Sequence, residues 1–411
     1  MIVGLIDSSP KVLQPDVVWL GDGRAIQGHV CIIGDRISAV ISGAYAGPLP
    51  VTRLEGMSLS PGLIDSMLLG AFGQSIVRGD INAILRRYAR AGVTTCQLCS
   101  GNLTHEGYDE LIANMRRAAD RATDDQARLV GVYHEGPFMK REACGGNRAD
   151  LCRAATRENV AAFLRQVSET ATMINISPGI DRDVDAIRQV RDAGYIVTMC
   201  HSNAPAERAI ACIQAGTTVL GHAWDNNQGL MSESSTQLPT IEQAALLCDE
   251  LPFIHIISDG CHVHPLWMKL TLRCRGLKPI CLVTDALPCA GGPDGQYIYD
   301  DGLRFSKVRG AGRDEQGRLF GGSLLLADQF RKFLVMTGIE PHQAVQTVTF
   351  NPARSLGLDS EVGLIEPGRV ADLVAWDTSL RVRHVWLAGR QLDDIDDIGD
   401  VTVPLAASES R

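Results

Sequence analysis

The chain has no excess of basic charge, few aromatic residues, no long apolar run and no paired-cysteine zinc pattern. Lys and Arg number 39 against 48 Asp and Glu, a net charge of −9. That balance lacks the basic footprint of a nucleic-acid binder and the polybasic surface of a membrane-associated protein. No apolar run reaches the roughly 18 residues of a membrane span. The start, "MIVGLIDSSPKVLQPD", has neither the basic onset nor the long apolar core of a signal peptide. Twelve cysteines are scattered along the chain, several inside apolar runs (Cys31, Cys96, Cys99, Cys200, Cys281). None belongs to a CxxC…CxxC pair, and the one C-x-x-C, Cys96 and Cys99, falls at a strand end. Reduced, buried thiols in a cytoplasmic protein are the expectation. No GxGxxG loop follows the first strand of the central region, which disfavours a doubly wound sheet, and no tandem repeat is evident.

What is present suits a globular α/β protein: 45% of the 411 residues are hydrophobic and 21% charged. Residues 16–59 read as short strands broken by turns, and "ADLVAWD" (371–377) and "VRHVWLAGRQL" (382–392) look similar. Neither set can bury a core alone. Together they predict one small β-sandwich domain, residues 1–59 with 359–411, built from both termini. Between them, residues 60–358 alternate strand-like and helical runs. Eight strands can be counted, from "GLIDSML" to "PICLVTDAL", each followed by a helix or a long insertion. This is the signature of a (β/α)8 TIM-like barrel.

In such a barrel the chemistry gathers at the C-terminal ends of the strands. Five ionisable residues follow apolar runs there: Glu135 after "LVGVYH", His201 after "YIVTMC", His222 after "TTVLG", His262 after "IISDGC" and Asp285 after "PICLVT". Two imidazoles and one carboxylate form a three-ligand catalytic zinc set with the fourth position open to water. Glu135, His201 and His222 supply the ligands. A cation there lowers the pKa of water to about 7, and Asp285 is placed as general base and then acid.

The ordered set "SPGLID" (60–65), "HEGPF" (134–138), "CHSNA" (200–204), "GH" (221–222), "SDGCHV" (258–263) and "LVTDA" (282–286) resembles the amidohydrolase superfamily. Within it, the chain is similar to the N-acetylglucosamine-6-phosphate deacetylases, and "GRLFGGSLLL" (317–326), "NPARSLGL" (351–358) and "GLIEPGRVADLVAWD" (363–377) agree. The resemblance implies a divalent metal on Glu135, His201 and His222, with Asp285 as catalytic acid/base. It also implies His262 against the sugar or the scissile carbonyl, and a homodimer.

Several positions leave the family pattern. Where relatives carry H-x-H or Q-x-N after the first barrel strand, this chain has Met67-Leu68-Leu69. Neither Met67 nor Leu69 is a hard-metal ligand, so one divalent ion per chain is expected: zinc, or iron, cobalt or manganese. After His222 the family's asparagine-centred segment is replaced by "HAWDNNQGLMSESS", placing Asp225 and Asn226 at the substrate. An aspartate repels a dianionic phosphate in a poorly solvated pocket. The loop "EACGGNRAD" keeps Asn147, puts Gly146 where the family has histidine, and adds Arg148. Arg148 either binds an anionic substrate group or is a solvated loop charge, and His264 either lines the pocket or ends the turn before Pro265. His134 should point away from the metal by strand alternation.

The resulting expectation is a metal-dependent deacetylase-like amidohydrolase acting on a small N-acylated amine such as an amino sugar, not on the standard 6-phosphate. Other C–N hydrolysis at the same site, a genuine 6-phosphate deacetylase and a catalytically silent binding protein are the alternatives.

Overall fold

Runs rich in Val, Ile, Leu and Cys suit strands buried on both faces, as parallel strands are. The computed structural model describes residues 9–225, 230, 231, 236–300, 302–393 and 395. Eight such runs form β1 (Leu63–Leu68), β2 (Val93–Ser100), β3 (Arg128–His134), β4 (Ala171–Asn175), β5 (Ile196–Met199), β6 (Val219–Leu220), β7 (Phe253–Ile256) and β8 (Ile280–Leu282). They lie side by side in sequence order, every neighbouring pair parallel. A parallel bridge from Leu68 to Ala286 closes the ring, and the Leu69 and Gly70 amides both donate to the Ala286 carbonyl at 2.9 Å. The barrel seam therefore falls beside Asp285.

Helices α1 (Ile81–Arg90), α2 (His105–Asp120), α3 (Arg157–Val167), α4 (Asp183–Asp192), α5 (Ala206–Ala215), α6 (Ile241–Leu247), α7 (Pro265–Arg275) and α8 (Leu326–Thr337) follow the strands in turn. The sequence marks several starts. Asp80 accepts from the Ala83 amide, Thr104 from Gly107 and Thr156 from Asn159, at 3.0–3.2 Å. Each such cap stabilises its helix by about 1 kcal/mol. Met67, Cys99, Tyr133, Met173, Val219, Phe253 and Cys281, from seven of the eight strands, pack as one cluster. Side chains from opposite strands meet only inside the ring, so the interior is filled and the site sits on top of it.

Strands from near both ends of the chain pair with one another. The strand Val51–Pro61 pairs with Leu373–Trp376, and strands from both ends make one eight-stranded sheet. Leu13, Val30, Leu59, Leu373 and Trp386 give it a core of its own. The insertion after β8 is itself ordered, as a four-stranded antiparallel sheet (Gly295–Ile298, Arg304–Val308, Ala311–Asp314, Leu319–Gly322). Its glycine-rich turns hid it within what reads as a loop. Among the described residues no helix is long and apolar enough to cross a membrane.

Candidate metal centre

Strand alternation separates His134 from Glu135. His134 turns toward the helices, where its Nδ1 meets the Ser100 hydroxyl at 2.8 Å and its ring packs edge-on to Tyr108 and Phe163. Burial pushes its pKa down to about 3, so it is a neutral packing residue. Glu135 enters the barrel mouth. Its Oε1 lies 3.0 Å from His201 Nε2 and 2.9 Å from His222 Nε2. Oε2 accepts from Asn147 Nδ2 at 3.0 Å, and the Glu135 carbonyl accepts from Asn175 Nδ2 at 3.0 Å.

The backbone is bent to achieve this. His201, His222 and Asp285 have φ of 50°, 27° and 49°, in the left-handed region. Each such residue costs about 1–3 kcal/mol and persists where its surroundings over-determine it, typically at functional sites. His201 Nδ1 is 2.9 Å from the Ala143 carbonyl, which fixes it as the protonated nitrogen and frees the Nε2 lone pair for the centre. His222 Nδ1 is buried without a hydrogen-bond partner, 3.8 Å from Asp225 Oδ2.

The electrostatics match a cation site. Burial would raise the Glu135 pKa, but the two imidazoles outweigh it and hold the carboxyl well below its ordinary range. His222 is held well above its ordinary range: burial opposes this, and Cys200 and Glu135 outweigh it. The Glu135 carboxylate thus supplies the negative charge that attracts a cation, and a bound ion would displace the proton that His222 otherwise holds. Two imidazole nitrogens and a carboxylate oxygen at these spacings also fit one divalent ion. Cys200 joins them, since ligand atoms of Glu135, Cys200, His201 and His222 all lie within 4.8 Å of one another.

Asp285 stands half-buried beside this centre, its pKa pushed up to about 8 by burial first and by the Glu135 charge second. His262 Nδ1 is 2.6 Å from Asp259 Oδ2, which leaves Nε2 as its remaining polar atom. Burial works against charge on His262, but the Asp259 carboxylate outweighs it and holds the pKa at about 9. Beneath Asp285, the buried Asp65 accepts from the Thr284 hydroxyl at 2.6 Å.

A cavity of about 110 Å3 opens onto these groups, lined by Glu135, His201, His222, Asp225 and Asp285 together with Leu69, Asn147, Arg148, Tyr299 and Phe320. Leu69 thus faces the cavity while Met67 is buried inside the barrel. Gly146 makes room for Phe320, whose Cδ2 a Cβ there would approach to 2.8 Å. Asn147, expected at the substrate, bridges Glu135 to the Asn102 amide, which donates to its Oδ1 at 2.7 Å. Arg148 reaches the cavity wall but pairs with Asp150 at 2.6 Å. Of the two readings of His264, the structure has the turn rather than the pocket: it is exposed, and its Nδ1 accepts from the Leu266 amide at 3.2 Å, capping α7 ahead of Pro265. Asn226 lies outside the described residues. Sequence reading missed Asp259, Asn102 and Cys200. An aspartate three residues before the strand-end histidine, in "SDGCH", was the available signal for Asp259.

The amidohydrolase family profile matches residues 59–399. The chain belongs to the amidohydrolase family. It is 27% identical over 377 residues to the N-acetylgalactosamine-6-phosphate deacetylase of Escherichia coli O157:H7, spanning 90% of this chain and 95% of that one. It is likewise 27% identical to the N-acetylglucosamine-6-phosphate deacetylase of Vibrio furnissii over 353 residues, 85% of this chain and 86% of the relative. The crystal structure of N-acetyl-D-glucosamine-6-phosphate deacetylase from Mycobacterium smegmatis superposes with a TM-score of 0.83 at 26% identity, covering 93% of this chain and all of the other (100%). This amidohydrolase is accordingly a hydrolase of carbon–nitrogen bonds, of a metal-dependent family, with a cluster able to hold a metal.

Proposed function

We propose that the protein is a mononuclear, zinc-dependent N-deacetylase acting on an unphosphorylated N-acetylated amino sugar or a similar small amine. The convergence of His201 and His222 on one oxygen of Glu135, with Asp285 alongside, carries the reading. Glu135, His201 and His222 would hold the ion. The chemistry such a cation supplies when bound is Lewis acidity toward the amide carbonyl and toward water. Asp285 takes a proton from the attacking water on its carboxylate. It returns that proton to the nitrogen as the C–N bond breaks, which an amine leaving group requires. His262, charged through Asp259, donates from Nε2 to the oxygen that gains negative charge.

The cavity supports an unphosphorylated substrate. Arg148 is the one lysine or arginine among its described lining residues, and it faces Asp150. Glu135, Asp225 and Asp285 line the same space. Two like unit charges about 4 Å apart cost about 4 kcal/mol at an effective dielectric near 20. A second reading, a 6-phosphate deacetylase, is favoured by the names of the relatives. Acetate release from N-acetylglucosamine, N-acetylgalactosamine and both 6-phosphates by metal-reconstituted protein separates the two. Higher kcat/KM on the 6-phosphates would overturn the unphosphorylated reading, and no acetate from any of them would overturn deacetylation of these sugars.

A further inference from the structure

We propose that Cys200 is a protein ligand of the metal centre, so that the ion is held by two imidazoles, one carboxylate and one thiolate and takes the reacting water as a fifth ligand. The inference rests on the metal-centre reading above. In a regular strand, consecutive side chains face opposite ways, so the residue before a ligand histidine should point off the site. The left-handed φ of 50° at His201 breaks that alternation. Cys200 and His201 then deliver Sγ and a ring nitrogen to one cluster with Glu135 and His222, all within 4.8 Å.

The surroundings hold the thiol there. Cys200 is completely buried, and its amide donates to Asn175 Oδ1 at 2.9 Å. The same Asn175 donates to the Glu135 carbonyl at 3.0 Å, so one side chain fixes the backbone at both residues. The residue before His222 is glycine. A Cβ on Gly221 would come within 3.2 Å of Cys200 Cβ, 3.5 Å of its Sγ and 3.1 Å of the Tyr133 hydroxyl. Space for the sulfur is thereby kept at the floor of the site.

Binding breaks the S–H bond, forms a sulfur–metal bond and releases the proton to solvent. A thiolate makes the site prefer zinc and cobalt over manganese and magnesium. The family's chemistry does not require it, and nothing in the sequence marked this thiol among the twelve.

The test loads cobalt(II) into the metal-free full-length protein and into its Cys200→Ser and Tyr133→Phe variants. A near-ultraviolet sulfur-to-cobalt charge-transfer band should appear in the wild type. It should persist in Tyr133→Phe, which removes only the hydroxyl 3.4 Å from Sγ. It should be absent from Cys200→Ser although cobalt still binds. Zinc affinity of Cys200→Ser should fall more than about tenfold, the smallest loss typical even of groups outside the ligand shell. Zinc-edge X-ray absorption on the wild type, which needs no variant, should show a sulfur at about 2.3 Å. Cobalt bound without the band, a band that survives in Cys200→Ser, or no sulfur at the zinc edge overturns thiolate ligation and leaves the Glu135–His201–His222 centre standing. Failure of the wild type to take up any cobalt or zinc overturns both.

Discussion

Replacing Asp259 with asparagine isolates one charge while keeping shape. Asp259 Oδ1 accepts from the Cys261 and His262 amides at 2.8 and 2.9 Å, and an asparagine oxygen can keep both. What is lost is the carboxylate 2.6 Å from His262 Nδ1. Raising the His262 pKa from 6.5 to about 9 corresponds to about 3 kcal/mol of preference for the charged ring. Without that partner, burial governs and favours the neutral ring, so His262 should titrate below 6.5. At pH 7.5 the wild-type ring is charged and the Asp259→Asn ring is neutral. If His262 donates to the developing oxyanion, kcat should fall at least about 100-fold, the usual cost of one such donor, with KM little changed. Stability follows the same linkage. A raised imidazole pKa contributes fully below pH 6.5 and is lost as pH rises through about 9, so the stability gap between wild type and variant should close over that range. Imidazole NMR titration and a pH–rate profile read both quantities. A His262 that still titrates near 9 in Asp259→Asn, or an unchanged kcat at pH 7.5, refutes the reasoning.

Asp285→Asn should lower kcat/KM by at least about 100-fold while metal content stays at the wild-type level; loss of the metal would instead make Asp285 a ligand. Asn147→Ala, which releases Glu135 Oε2, should weaken metal binding by about 10- to 100-fold, read by competition with a chromophoric chelator. In metal-free protein, Asp285 keeps its proton to about pH 8, whereas an unfolded aspartate loses it near 3.9. The unfolded chain therefore binds fewer protons in between, and stability should decline from about pH 4 to about pH 8. Chemical denaturation should show that decline flattened in Asp285→Asn.

The barrel was legible because its strands are buried on both faces and its helices are short and capped. "LVGVYHEGP" and "DINAILRRYARAG" cannot exchange periods, and eight such pairs leave few alternatives. The three proposed ligands were legible because each is polar at the end of an apolar run. Their partners were not. Asn102 acts through contacts across loops, Asp259 acts within one turn that apolar runs do not mark, and Cys200 sits one place from a histidine, where strand alternation hides it until the left-handed turn is known. His264 was legible only as two alternatives, because a histidine beside the site motif can line a pocket or cap the next helix, and it caps α7. The sheet at 295–322 was hidden by the turns that build it, although it delivers Tyr299 and Phe320 to the cavity.

The central claim is that Glu135, His201 and His222 hold one catalytic divalent ion. Elemental analysis of purified full-length protein, dialysed against zinc and then metal-free buffer, tests it most directly when run beside Glu135→Ala. The account expects close to one ion per wild-type chain and close to none in the variant. Two ions per chain, none, or equal metal in both proteins would contradict it.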